Sequence, residues 1–281
     1  MNTGVSLLVP AHITGFFSVH QDDNPRVAGS RGAGVTLNDA VSITIRPADT
    51  TTIIVNDATM TIPAANYVLD QLDATARIHV ETSVPLGAGF GVSGAIALGT
   101  AFGGNLLFDQ WYSENELVSL AHSGDVIAGT GLGDVVAQHR GGAPIRREPG
   151  APGYGAIDGI PDRRRIEWIS LGELSTEKVL AGDTSTLNEA GAAALEELVA
   201  RPTLTNFMRV SQRFSRETGL LTDQLAEIMA DVEQEGGQAA MAMLGQTVFA
   251  LGNDLSQAGY DPTIHELAPS GVSFVRAETD V

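Results

Sequence analysis

The stretch PLGAGFGVSG, Pro85–Gly94, lies between a β-like run, ARIHVETSV, and a run of small residues, AIALGTAFGG, that reads as a helix. Glycines this close to a helix start expose backbone N–H groups, and the helix dipole adds to their pull on an anion. The segment is expected to cradle phosphate. Gly89, Gly91 and Gly94 spell G-x-G-x-x-G, the dinucleotide fingerprint. That fingerprint needs the first strand–turn–helix of its domain and an acidic residue about 20 positions on. Here a β-rich segment precedes the loop, and Asp109 is only a loose match for the acid. A Walker A loop needs G-K-[ST], and the single lysine of the chain is Lys178. A triphosphate loop of another kind remains, with Ser93 at the helix start as a Mg²⁺ ligand. Beside it stand the plainer readings: Ser93 as a helix cap and the glycines as packing residues.

Outward from this loop the chain mixes strands and helices without regular alternation, which argues α+β. Short Val-, Ile- and Thr-rich runs predict strands over 5–10, 40–47, 51–56, 58–63 and 76–84, with a hairpin turn at NDAT. Helices are expected over 64–72 and 94–108, and from 114, where Ser113 and Glu116 form a capping box. A short helix from 133 and a strand at GAPIRRE follow. Residues 148–165, rich in Pro and Gly, read as a loop at a domain boundary. A strand at 166–171 comes next, then helices near 187–200, 203–216 and 220–235. QTVFALG and GVSFVRAE are the last expected strands.

The segment AHSGDVIAGTGLGDVVAQHRGG holds a second group of chemical residues. His122 and Asp125 stand three apart on one helix face. Asp134 sits at a loop-to-helix transition. Phosphoryl transfer to an alcohol needs Mg²⁺ ligands and a carboxylate near the attacking hydroxyl. Asp125 and Asp134 supply such groups, or else they are a solvated acid and an N-cap.

Composition narrows the partners. Sixteen basic residues face 34 acidic ones, for a formal charge of −18. Such a surface repels nucleic acid and anionic membranes, so neither is an expected partner. A dispersed acidic excess with almost no lysine suits a cytoplasm of very high salt, where self-repulsion is screened. The chain has no cysteine, so disulfides, thiol chemistry and cysteine-ligated metals are excluded. No apolar run approaches the about 18 residues of a membrane span. MNTGVSLLVP lacks the basic segment and apolar length of a signal peptide, and a cytoplasmic location is expected. At 281 residues the chain can build one large core or two modest domains.

PAHITGFF (10–17), PLGAGFGVSGA (85–95) and GTGLGDVVAQHRGG (129–142) together resemble, in order and spacing, the GHMP small-molecule kinases. GSRGAGV and MLGQTVFALG narrow the resemblance to the archaeal pantoate kinases, which make 4-phosphopantoate for coenzyme A synthesis. The resemblance implies an N-terminal α/β domain like domain 2 of ribosomal protein S5 (residues 1–160). A ferredoxin-like α+β domain (161–281) would follow, with the active site between them. It implies ATP and Mg²⁺, with the phosphate loop formed by Pro85, Gly87, Ala88, Gly89, Phe90, Gly91, Val92, Ser93 and Gly94. It implies Asp134 as the catalytic carboxylate and Ser93 with Asp125 as metal ligands, Asp125 standing where a longer glutamate is usual. His12 occupies the place of the family's lysine and is grouped with the substrate-binding candidates. Ser30, His122 and Thr176 are implied substrate contacts. Pantoate carries a carboxylate, and a guanidinium fork is its apt partner, which selects Arg146. The expected partner is thus a small hydroxy acid, pantoate, and a homodimer is allowed. Homoserine- or mevalonate-type acceptors, and a silent metabolite binder on the same fold, are the competing readings.

Overall fold

The computed structural model describes residues 4–173 and 184–275. Two sheets organise them. The larger has the order β12-β1-β2-β5-β3-β4, with β6 paired to β2 and β7 paired to β6. Its long members are β1 (Val5–His20) and β2 (Gly29–Pro47), an antiparallel pair broken by register shifts at Val9/Ala11 and Thr14/Phe16. β3 (Thr52–Val55) and β4 (Ala58–Met60) form a hairpin, and β5 (Ala76–Thr82) lies parallel to β3 and antiparallel to β2. β6 (Ala143–Glu148) meets β2 through Gly32 and Ala33, and β7 (Ala156–Ile160) extends that edge. β12 (Ser273–Val275) brings the end of the described chain back to β1.

The smaller sheet is fully antiparallel, in the order β11 (Thr263–Glu266), β8 (Arg165–Glu173), β10 (Gly245–Leu251), β9 (Ala239–Ala242). The architecture is the α+β, two-domain arrangement expected from the sequence.

Helices α1 (Pro63–Gln71), α2 (Val92–Leu107) and α3 (Glu114–Ile127) stack together, with α2 on the larger sheet. The small residues of α2 permit that close approach: a Cβ at Gly103 would come within 2.6 Å of Ile45 Cδ1 and 2.9 Å of Leu7 Cδ1. α4 (Asp134–Arg140) is short and packs against α2 and α3. α5 (Ser185–Ala200) and α6 (Leu204–Glu217) cover β1, while α7 (Asp223–Gln234) packs on β9 and β10. The one-turn α8 (Asp254–Gln257) completes the set. Phe16 and Phe17 of β1 pack on Phe207 and Phe214 of α6, joining the two halves in one continuous core. β1 is buried along most of its length and packs against α2, α5 and α6.

The structure corrects the local reading in several places. β1 and β2 run far beyond the expected 5–10 and 40–47, so PAHITGFF is strand throughout. The Pro/Gly-rich segment 148–165 contains β7, and β9, β11 and α8 were not anticipated. α2 starts at Val92, two residues before the expected start.

Candidate active site

The expected phosphate loop, ahead of α2, turns on glycines in the left-handed region. Gly91, with φ 63°, is the N-cap of α2 and offers no side chain to cap the helix, so its first N–H groups face outward. A Cβ here would also press on Asp134, 3.0 Å from its Cβ and Cγ. That contact brings the loop against the first residue of α4. Gln138, one turn along α4 and fully buried, donates through Nε2 to the Gly91 carbonyl at 2.8 Å. The loop is tied to β1 as well, the His12 amide donating to the Phe90 carbonyl at 3.0 Å.

A cavity of about 430 Å³ opens at this junction. Its walls include Ser30, Gly87, Gly89–Ser93, Thr130, Asp134 and Arg146. Four of the expected site elements, namely the phosphate loop, Asp134, Ser30 and Arg146, therefore face one space. Pro85, Ala88 and Gly94 shape the loop from outside the lining. A Cβ on Gly133 would lie 2.6 Å from Arg146 Nε and 2.7 Å from Ser30 Oγ, so these two side chains converge beside α4.

Charge at the cavity is set by three groups, the half-buried Asp134 and the buried Arg146 in its wall and the buried Asp125 behind it. Asp134 is 21% exposed, and its Oδ1 accepts from His12 Nδ1 at 2.7 Å. Burial alone would raise its pKa, but the His12 hydrogen bond and the Arg146 charge hold it below the usual carboxylate value. Arg146 is 2% exposed, and its Nε and Nη1 have no hydrogen-bond partner. Burial lowers its pKa to about 10, with Asp134 opposing, so it stays charged at neutral pH. Asp125 is 1% exposed, and burial together with repulsion from Asp134 pushes its carboxyl up to about 7, against a Thr130 hydrogen bond.

The remaining sequence candidates lie elsewhere. His12 does not line the cavity; it stands behind Asp134, wholly buried, with Nε2 unpartnered. Burial keeps its pKa below 6.5 despite Asp134. His122 is buried behind the wall, Nε2 on the Ala28 carbonyl at 2.9 Å. Burial depresses its pKa too, with the Arg146 charge adding to the effect. Asp125 is also behind the lining, and Thr176 falls outside the described residues.

Comparison with known proteins fits this arrangement. Residues 59–142 match the family described as GHMP kinases N terminal domain. The pantoate kinase of Methanocaldococcus jannaschii is 32% identical over 252 residues, covering 87% of this chain and 92% of that protein. The pantoate kinase of Thermococcus kodakarensis is 34% identical over 267 residues, covering 89% and 88%. The chain belongs to the pantoate kinase family. A solved structure described as a phosphotransferase related to the CoA biosynthesis pathway superposes with a TM-score of 0.87 at 28% identity. It covers 98% of this chain and all of its own length (100%).

In this pantoate kinase family member the donor set beside the phosphate loop is all oxygen. Thr130 Oγ1 donates to Asp125 Oδ1 at 2.6 Å and accepts from Ser93 Oγ at 3.2 Å, so Ser93 and Asp125 are bridged by one hydroxyl. A Cβ on Gly131 would overlap Asp125 Oδ2 and lie 3.0 Å from Asp134 Oδ2, which places both carboxylates at the edge of one small space. Among the described residues no group of three or more His, Asp and Glu side chains converges as a metal cage. Mg²⁺ asks for less, one or two carboxylates completed by phosphate oxygens and water. Burial, and after it the charge of Asp134, raises Asp125; a cation beside these oxygens would relieve the charge, so these residues fit Mg²⁺.

Sequence reasoning missed Thr130, Gln138, Met243 and Leu244. Thr130 lay inside a quoted motif, but nothing local shows that its hydroxyl joins Ser93 to Asp125. Met243 and Leu244 reach the cavity only through the tertiary fold.

Proposed function

We propose that this protein transfers the terminal phosphoryl group of ATP to the primary hydroxyl of pantoate, giving 4-phosphopantoate and ADP. The observation that carries the reading is Arg146, a buried guanidinium with two unpartnered nitrogens in the cavity that holds Asp134 and the phosphate loop. A buried unpaired cation is costly unless a ligand anion completes it. The carboxylate of a hydroxy acid does so, and Ser30 Oγ stands close enough to share it. An amino-acid acceptor such as homoserine would bring an ammonium toward the same charge.

Asp134 acts on the acceptor hydroxyl. Its Oδ1 is fixed by His12, which leaves Oδ2 to accept from the hydroxyl and orient it. The alcohol oxygen bonds to the γ-phosphorus as the bond to the bridging oxygen breaks. ADP leaves, and the hydroxyl proton passes to Asp134. Positioning dominates in such transfers, so an ionised carboxylate of low basicity suffices. The open N–H groups at the start of α2 and the loop amides of Gly87–Gly91 receive phosphate oxygens. Ser93 and Asp125 would hold Mg²⁺, which would supply neutralisation of phosphate charge. His12 and His122 serve from behind the wall, His12 on Asp134 and His122 on the segment that carries Ser30. In this division residues 1–160 supply the reacting groups, and residues 161–281 close the cavity through Met243 and Leu244. The acidic surface suits work at molar salt in a cytoplasm.

The test is the Arg146→Ala enzyme. Truncating one partner of a buried charge pair costs about 2 kcal/mol or more, which is about thirtyfold in affinity. KM for pantoate should rise by that factor while KM for ATP stays within about twofold. Equal rises in both would remove pantoate from Arg146 and overturn the assignment.

A further inference from the structure

Among the described residues, Leu244 is one of the few other than glycine with a positive φ, 65°, and it lines the active-site cavity. Left-handed backbone is disfavoured for a bulky side chain. Its neighbour in the same turn is Gly245, so a glycine was available one position away. Strain of this kind survives where the surroundings over-determine it, and three contacts do so here. The Met243 amide donates to the Thr14 carbonyl at 2.9 Å. Gly245 lies so close to the phosphate loop that a Cβ there would overlap the Ala88 carbonyl. Thr247 Oγ1 donates to that same Ala88 carbonyl at 3.0 Å. The Met243–Leu244 turn is therefore pinned to the phosphate loop on one side and to β1 on the other.

The chemistry of the turn stands out against its position. Around Asp134 and the loop amides a polar wall would be the easy solution, yet Met243 and Leu244 present two apolar side chains there, joined by Phe17 and Val92. Met243 is 2% exposed, and Leu244 is half-buried and packed on the core.

We propose that Leu244 is a water-excluding residue, held in a strained backbone so that its side chain covers the phosphate loop and keeps water from competing with the acceptor alcohol. The inference rests on the kinase reading above. The reaction it suppresses is transfer to water. A water oxygen bonds to the γ-phosphorus, the bridging bond breaks, ADP departs with the electron pair, and the water proton goes to solvent. Inorganic phosphate forms in place of 4-phosphopantoate. Closing a site against water is a general means of preventing such side reactions.

The experiment uses the full chain with ATP and Mg²⁺, and compares wild type with Leu244→Gly, Leu244→Asn and Leu244→Met. Glycine and asparagine both accept the left-handed backbone, so relief of strain offsets the packing that Leu244 gives up, and melts of each variant check that it is folded. Both should release ADP without acceptor about tenfold faster, equivalent to about 1.4 kcal/mol off the barrier to water. With pantoate present, 4-phosphopantoate per ADP should fall below one in both, while Leu244→Met, still apolar, should stay at one. One-to-one coupling in the Gly and Asn variants would overturn the proposal, as would equal uncoupling in the Met variant. A wild type that forms no 4-phosphopantoate would instead overturn the kinase reading, and this inference with it.

Discussion

His12 shows at the scale of one residue how the site obtains its charge state. It is wholly buried, its Nδ1 donates to Asp134, and its Nε2 has no partner. Burial outweighs the carboxylate and holds it neutral below its ordinary 6.5. In the unfolded chain the same imidazole takes up a proton near that pH. The unfolded state therefore binds more protons in this window, and stability falls as the pH drops below about 6.5. His12→Asn keeps a donor close to the Nδ1 position and removes the titration. Thermal melts of both proteins from pH 7.5 to 5 should show a smaller acid-induced drop in the variant. Parallel curves would mean that His12 is protonated in the fold.

The phosphate loop and its helix act as one element. Gly91 caps α2 in the left-handed region and lies where a Cβ would press on Asp134, so one backbone position bears on both the loop and the carboxylate. Gly91→Ala adds strain of about 1–3 kcal/mol at such a position and pushes on the Asp134 side chain. It should raise KM for ATP and lower kcat together, read by steady-state kinetics. A change in only one of the two would separate the loop from Asp134. Much of this element was legible in the sequence because its cues are local. Glycines mark left-handed turns, NDAT gave a hairpin with Asn56 and Asp57 at φ 45° and 68°, and Ser113 with Glu116 gave the capped start of α3. What stayed hidden depends on pairing across the chain. β9, AAMA, is buried at every position and shows no alternation, and β11 is an edge strand with little burial. β7 forms in a Pro/Gly-rich segment because β6 offers it a partner. The full length of β1 was obscured by register shifts that reset the alternation near PAHITGFF. Ser93, Asp134 and Arg146, named from residue chemistry and motif, and Ser30, named from the family resemblance, line one cavity. Thr130, Gln138 and Leu244 reach this region only through the approach of distant segments, which no local pattern records.

For the whole molecule the decisive feature is contrast between surface and site. Thirty-four acidic and sixteen basic residues give the chain its −18 charge, and several arginines are engaged in exposed pairs, as where Arg209 and Arg213 meet Glu197. Arg146 is withheld from such pairing and kept charged in the cavity. An anionic acceptor and an anionic donor must both approach this surface, and salt shortens the reach of its repulsion to about 3 Å at 1 M. The most direct test of the central claim is an ADP-release assay in molar KCl, run with pantoate, homoserine and mevalonate in parallel, with product identified by mass. Pantoate alone should support turnover, with one 4-phosphopantoate per ADP, and Asp134→Asn should lower that rate at least about a hundredfold, the low end for loss of a general base. Turnover with homoserine or mevalonate matching that with pantoate, or an Asp134→Asn enzyme near the wild-type rate, would contradict the account.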